Sequence, residues 1–438
     1  MSTGLITLLM FGSMLVAILL GGVPVAFALG GISTIMTILL LGSQSLYISV
    51  SNVWGLMSEF LLVAIPLFVF MANVLQHSGV ADDLYELVYH WMGRLRGGLA
   101  IGTIGICTIM AAMTGISATA TISMGLIALP SMLKRGYSPL IAIGTVSAGG
   151  ALGVLIPPSV LLILYGQLAQ VSVGKLFVGG VLPGILLAAL FVAYVVVRSA
   201  WQKNLCPSVP PEESISLRKK LVMLWRLVIP IFMIVSVLGS IYLGIATPSE
   251  AAAVGAAGSI LVAAITRRLN WKMIKDASMG CLGLTCMCMW IMMGASVFSH
   301  LYTAMGAQQL IQEIVASLPV GRWIIFVGIQ LIWFILGCLM DGTAILMLSM
   351  PVFLPIIKNL GFDPLWFGVV FVVNMEMGFL TPPFGFNLFY MKAIVPKGIT
   401  MNDIYRSVIP FIFLQGVGLI VTILFPQIIT WLPNRMIR

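Results

Sequence analysis

No charged side chain occurs in the first 58 residues, and none lies between Asp276 and Glu313. A lipid bilayer's hydrocarbon core is about 30 Å thick and takes roughly 20 apolar residues per spanning helix, so runs of this kind fit membrane spans. The whole chain agrees: of 438 residues only 8% are charged, against about 25% in soluble domains. A soluble enzyme or a nucleic-acid binder could not cover its surface so sparsely, whatever the net charge of +9 suggests. The first apolar run, 3–20, has no preceding Lys or Arg and reads as a span, without the basic start of a cleaved signal. The six cysteines fall mostly in apolar helices, and the Cys281/Cys286/Cys288 spacing does not suit zinc. They read as free thiols.

Full spans are expected at about 4–22, 24–42, 58–76, 139–170 (interrupted), 176–198, 226–246, 248–266, 277–298, 363–391 (interrupted) and 407–431. Two further apolar stretches, 98–133 and 323–357, are too short for two spans and a turn. Small polar residues break each near its middle: Thr114-Gly115-Ile116-Ser117 in one, Asp341-Gly342-Thr343 in the other. A half of some 15 residues makes only ~22 Å of helix. Both therefore read as re-entrant hairpins, tolerated where protein or a water-filled cavity surrounds the tip. The fold expected is an all-α polytopic membrane protein of about ten transmembrane helices and two re-entrant hairpins.

Basic residues support this topology. With the 199–225 loop inside, 17 Lys and Arg fall inside and 5 outside (Lys175, Arg322, Lys358, Arg435, Arg438), a strong positive-inside bias. Lys203 is among the 17. Residues 225 apart pair Pro130 with Pro355, Gly136 with Gly361, Pro139 with Pro364, Gly153 with Gly378, Pro157 with Pro382 and Pro158 with Pro383. The chain is a tandem duplication with five crossings per half; an odd number inverts the second half. Inverted repeats with broken helices are a secondary-transporter architecture. The repeat divides the chain into units at 1–93, 94–200, 223–320 and 321–438, with a cytoplasmic inter-repeat loop at 201–222.

Neither proline of Pro157-Pro158 has an N–H, so the carbonyls of Gly153 and Val154 lose their usual helical donors, as do those of Gly378 and Phe379 before Pro382-Pro383. Such groups at membrane depth call for a cation or a donor. Hydroxyls of Ser117, Thr119, Ser159, Thr343 and Thr381 could complete an oxygen shell for Na⁺. The half-helices after each break offer free N–H groups and the positive dipole end to an anion such as a carboxylate. Two acids sit at the breaks. Asp341 suits either a cation or an N-cap. Glu376, aligned with Ala151 in the first half, suits proton coupling or a neighbouring polar partner.

Several stretches resemble the large membrane subunit of TRAP (tripartite ATP-independent periplasmic) transporters. They are Gly136-Tyr137-Ser138-Pro139, Gly149-Gly150-Ala151-Leu152-Gly153, Ile156-Pro157-Pro158-Ser159, Gly244-Ile245-Ala246-Thr247-Pro248-Ser249-Glu250, and Thr381-Pro382-Pro383-Phe384-Gly385-Phe386-Asn387. The resemblance spans essentially the whole chain. It implies an elevator-type importer of organic acids in the bacterial cytoplasmic (inner) membrane, with scaffold helices at 1–93 and 223–320, transport regions at 94–200 and 321–438, no cofactor beyond Na⁺ as coupling ion and no catalytic residues. It also implies a periplasmic substrate-binding protein and a small membrane subunit of about four helices as partners. Mapped residue by residue, Na⁺ sites fall at Gly115 and Ser117 with Gly153, and at Asp341 and Thr343 with Gly378 and Thr381; Val154 joins the first through its carbonyl. Ser117, Thr119, Ser159, Thr381 and Asn387 are the candidate cargo contacts. Ile116 departs from the family's hydroxyl-rich first tip. The rival readings are a stand-alone anion/Na⁺ symporter or an ion/H⁺ antiporter of similar build.

Overall fold

The computed structural model describes residues 2–202, 204–208 and 216–436. Lys203, the 209–215 part of the inter-repeat loop and Arg438 lie outside the described residues. The described residues are helical throughout, joined by short turns.

The first half runs α1 (Thr3–Leu19), α2 (Val25–Leu41), α3 (Leu46–Met57), α4 (Ala64–His77), α5 (Val80–Met92), α6 (Gly98–Thr114), α7 (Ser117–Lys134), α8 (Pro139–Ala151), α9 (Val160–Ala169) and α10 (Val173–Trp201). In the second half, α11 (Leu217–Met223), α12 (Val228–Ile234) and α13 (Ser240–Tyr242) follow one another through 3₁₀ and π turns. Then come α14 (Pro248–Ile265), α15 (Trp271–Ala304), α16 (Ala307–Ser317), α17 (Arg322–Gly337), α18 (Gly342–Asn359), α19 (Pro364–Gly378), α20 (Phe386–Ile394), α21 (Met401–Leu424) and α22 (Gln427–Thr430). Seven of the described helical segments are long and apolar enough to cross a membrane.

The element order repeats. The pair α6–α7 answers α17–α18, α8–α9 answers α19–α20, and α10 answers α21. Local chemistry repeats with it. Ser138 and Asp363 stand at N-caps, with Pro139 and Pro364 at the first helical position, where a missing N–H costs nothing. Gly136 and Gly361 both take φ near +75° after α7 and α18, a conformation strained for any residue with a Cβ. Both Pro157–Pro158 and Pro382–Pro383 are cis. Elsewhere, capping boxes open α14 (Thr247 with Glu250) and α21 (Thr400 with Asp403).

Two differences from the expected spans stand out. The 58–76 span begins with a 3₁₀ turn at Phe60–Val63 and is preceded by α3, so the pair α3–α4 corresponds to the single long α15. The charge-free 43–57 stretch carries Ser49, Ser51, Asn52 and Gly55, which masked the helix. The amphipathic α5 and α16 follow at matching places, α5 with Asp82, Asp83 and Glu86 opposed to buried Val80, Leu84 and Leu87. Its acids meet the second half at Arg226, whose guanidinium pairs with Asp83 at 3.2 Å and with Glu86.

Packing sets which helices surround the centre. The α15 helix lies against α2, α3 and α4, and α14 against α4. A second group packs α6, α7 and α21 against α8, and α17 and α21 against α19. Every residue from Ile141 to Ala151 and from Trp366 to Glu376 is buried, as expected of helices apolar on all sides. Large apolar side chains such as Leu8, Leu39, Phe232, Leu261 and Phe413 point outward instead. That is the surface of a multi-pass membrane protein.

Candidate functional site

Both tips and both breaks open onto one cavity of about 250 Å³. Gly115, Ile116 and Ser117 come from the first tip, Asp341, Gly342 and Thr343 from the second. The first break contributes Val154 and Ser159, and the second Phe379 and Phe386, with Tyr390 one turn on. Leu284, Met287 and Cys288 of α15 close the remaining side. The lining is mostly apolar with a few polar groups, the usual make-up of a small-molecule site.

Glycine contacts hold the parts together. Gly115 ends α6 at φ +64°, and a Cβ there would sit 1.4 Å from the Pro158 carbonyl oxygen. Gly153 lies against the Ile116 carbonyl and the Ser117 Cα, which a Cβ would meet at 2.9–3.0 Å. Tip and break of the first half are thus in backbone contact. In the second half, Gly337 and Gly378 approach each other so closely that a Cβ on Gly378 would meet the Gly337 Cα at 2.8 Å. The Phe384 N–H also donates to the Cys338 carbonyl at 3.2 Å.

The freed carbonyls are mostly met within the protein. The Ser159 hydroxyl donates to the Val154 carbonyl at 2.5 Å. The Thr381 N–H donates to Gly378 at 3.0 Å, and the Asn387 N–H to Phe379 at 3.2 Å. The missing proline donors are replaced by Ser159 and Asn387 beyond the prolines and by Thr381 just before them. Asp341 caps α18: the amides of Thr343 and Ala344 donate to its Oδ2 at 2.9 and 3.1 Å. It lines the cavity at the same time.

Four helices begin at this cavity: α7 at Ser117, α9 at Val160, α18 at Gly342 and α20 at Phe386. Each N-terminus carries roughly half a positive charge in its unsatisfied N–H groups. Side chains cap α9 and α18, while α7 and α20 begin with no side-chain cap.

Of the residues named from sequence, Gly115, Ser117, Val154, Ser159, Asp341 and Thr343 share the cavity wall. Thr381 points back to the Met377 carbonyl at 2.8 Å. Thr119 is buried within α7, and Asn387 is buried with its amide donating to the Ser147 carbonyl at 3.2 Å, joining α20 to α8. Glu376 is fully enclosed; its Oε1 accepts from Gln415 Nε2 at 3.1 Å, and its Oε2 has no partner. Sequence reasoning missed Tyr390, Gly337 and the α15 wall. Phe386 and Tyr390 are four residues apart on one helical face, a readable signal. Nothing in the apolar 277–298 run marks Leu284, Met287 and Cys288.

The family model described as "Tripartite ATP-independent periplasmic transporter, DctM component" matches residues 11–428. The C4-dicarboxylate TRAP transporter large permease protein DctM of Pseudomonas aeruginosa is 33% identical over 405 residues, covering 92% of this chain and 93% of that protein. The isethionate TRAP transporter permease protein DctMQ of Oleidesulfovibrio alaskensis is 31% identical, covering 91% of this chain and 62% of that protein. The crystal structure of the Alcanivorax borkumensis YdaH transporter superposes with a TM-score of 0.62 at 16% identity, covering 88% and 90% of the two chains. That last likeness concerns the fold alone.

Proposed function

Since the chain belongs to the DctM family of TRAP transporter large permeases, and is thus a transporter subunit and not an enzyme, we propose that it imports an organic acid together with Na⁺. The observation carrying this reading is that four helix N-termini and Asp341 converge on one cavity. The N-termini favour an anionic cargo. An ionised Asp341 opposes it: two like charges ~5 Å apart at an effective dielectric near 20 repel by about 3 kcal/mol. A cation bound with the cargo removes that conflict, which makes co-transport the economical solution.

Na⁺ is assigned to the tips and breaks, at Gly115, Ser117, Gly153 and Val154 and at Asp341, Thr343, Gly378 and Thr381. The cargo carboxylate is assigned to the uncapped start of α7 beside Ser117, with Ser159 across the cavity; Thr119, Thr381 and Asn387 support the walls from behind. In the proposed elevator, α6–α10 and α17–α22 move against α1–α4, α14 and α15. A periplasmic binding protein delivers the cargo and a small membrane subunit braces the static helices, in the inner membrane of a bacterium. The name DctMQ of the isethionate relative, of which this chain covers 62%, is in keeping with a second membrane component.

The test is uptake into liposomes by the purified subunits supplied with loaded binding protein. Uptake should follow an imposed inward Na⁺ gradient. Uptake indifferent to that gradient, or sustained by ATP alone, refutes the proposal.

A further inference from the structure

The four helices that start at the cavity do not offer equally free amides. Ser159 accepts the Leu162 N–H of α9 at 3.4 Å, and Asp341 accepts two amides of α18. On α20 the Asn387 N–H donates to the Phe379 carbonyl and the Leu388 N–H to that of Gly385. At α7 the amides of Ser117, Ala118, Thr119 and Ala120 meet no acceptor among the described residues. These are the four N–H groups that every helix start leaves over. The Ser117 hydroxyl is also uncommitted among the described residues, although Ser117 is only 7% exposed and lines the cavity. Of the four starts, α7 alone is wholly open to an anion.

The rest of the wall is not built for a second one. Among the described residues lining the cavity there is no Lys, Arg or His, and the one carboxylate is Asp341. With Na⁺ at both assigned sites, the two cations balance Asp341 and one cargo carboxylate. A second cargo carboxylate would leave an uncompensated negative charge in an enclosed space at membrane depth, which is costly. The Tyr390 hydroxyl, uncommitted among the described residues, offers a hydrogen bond and no charge. The remaining surface is apolar. Phe379 and Phe386 stand with ring centroids 5.7 Å apart, Tyr390 follows one turn on, and Leu161, Leu284 and Met287 complete the wall. A volume of about 250 Å³ equals roughly eight waters at ~30 Å³ each, so the cargo has about eight to ten non-hydrogen atoms.

Resting on the proposed reading of this cavity as a Na⁺-linked cargo site, we infer that the cargo is a monocarboxylate with an apolar body the size of a small ring, and that dicarboxylates are rejected. Its carboxylate caps α7 at Ser117, and its body lies against Phe379, Phe386 and Tyr390. The cavity itself then selects by charge number, in addition to any choice made before the cargo arrives.

Free acids test this without a binding protein. The permease, purified with its small subunit, is melted in Na⁺ at mildly alkaline pH against phenylacetate, its neutral analogue phenylacetamide, acetate and succinate. Phenylacetate should raise the melting temperature at concentrations about a hundredfold lower than succinate and roughly thirtyfold lower than acetate. Phenylacetamide should have no effect. Succinate matching phenylacetate overturns the single-carboxylate assignment, acetate matching it overturns the apolar body, and phenylacetamide matching it overturns the anion position at α7. No stabilisation by any probe at millimolar concentration overturns the inference as a whole. Phenylacetate stabilising equally with and without Na⁺ refutes the coupling and leaves the cargo class standing. Met287→Lys locates the effect: Met287 is 44% exposed, so the longer polar side chain is accommodated and the variant should melt with the parent when no acid is present. The added cation should improve succinate about tenfold and leave phenylacetate no tighter; succinate binding unchanged in this variant shows that the acids bind elsewhere and overturns the inference.

Discussion

Gly115→Ala tests the backbone contact on which the first half of the site is built. The new Cβ would fall 1.4 Å from the Pro158 carbonyl oxygen, whereas real Cβ contacts stay above 3.0 Å, so tip and break must part by about 1.6 Å. The obstacle is backbone, not a side chain that can swing away. Holding an L-residue at φ +64° adds ~1–2 kcal/mol, and overpacking of this kind costs ~1–3 kcal/mol. The expected loss is about 2–5 kcal/mol. A control sits on the same helix: a Cβ on Gly105 meets nothing within 4 Å, so Gly105→Ala should be neutral or gain up to ~1 kcal/mol. Thermal unfolding of the purified protein with and without Na⁺ reads both effects. Gly115→Ala should melt earlier and lose most of the Na⁺-induced rise, since a tenfold weaker ion site forfeits about 1.4 kcal/mol of linked stability at saturating ion. If Gly115→Ala melts with Gly105→Ala and responds equally to Na⁺, the tip–break contact is not what shapes the site.

Three further substitutions or probes address other parts. Asp341→Ala removes the acceptor of two amide bonds and should cost ~0.5–2 kcal/mol as a lost N-cap; Asp341→Asn should retain most of that stability yet lose the Na⁺ response, and equal melting of the two variants speaks against the cap. Glu376→Gln should raise the melting temperature, because the amide it introduces can donate to Gln415 Oε1, which has no partner, and no buried carboxylate oxygen is left unpaired; a lower melting temperature counts against the enclosed Glu376–Gln415 pair. Maleimide at pH 8 should spare buried Cys206. Burial pushes the Cys206 thiol up to about 11, against a smaller pull downward from Arg198, so its reactivity should appear only as pH approaches that value. Labelling of Cys206 at pH 8 by mass spectrometry would show that the 204–208 segment opens.

Much of this arrangement was legible in glycine and proline spacing. The pairs at offset 225 placed the breaks, and the tips followed from apolar runs too short to cross twice. Those signals are local, fixed by which residues lack an N–H or tolerate positive φ. Contacts between distant segments were not legible. Leu284, Met287 and Cys288 face the cavity only because α15 packs across it, and an apolar helix looks alike on its lipid and protein faces when both are apolar. Asn387 looked like a cargo contact beside the second break, yet its side chain bonds to Ser147, 240 residues earlier in the chain. The α3 helix was hidden for another reason: too short to span and interrupted by Ser49, Ser51 and Asn52, it draws its place from packing against α15.

The breaks constrain the proposed ion site. Proline chemistry alone leaves four carbonyls without donors, but three of the four receive one: Val154 from Ser159, Gly378 from Thr381 and Phe379 from Asn387. Under the proposed assignment, an entering Na⁺ therefore has to compete with a donor already in place at Val154. Ser159→Ala removes that competitor and separates the two contributions. Without Na⁺, the variant loses the bond to Val154 and the cap on the Leu162 amide, a cost of about 1–3 kcal/mol. With Na⁺, the exposed carbonyl becomes a stronger ligand, so the Na⁺-induced rise in melting temperature should exceed that of the parent protein. A hydroxyl that itself coordinates the ion predicts the reverse, a smaller rise. The sign of that difference, measured on one variant, decides whether Ser159 guards the carbonyl or serves as a ligand.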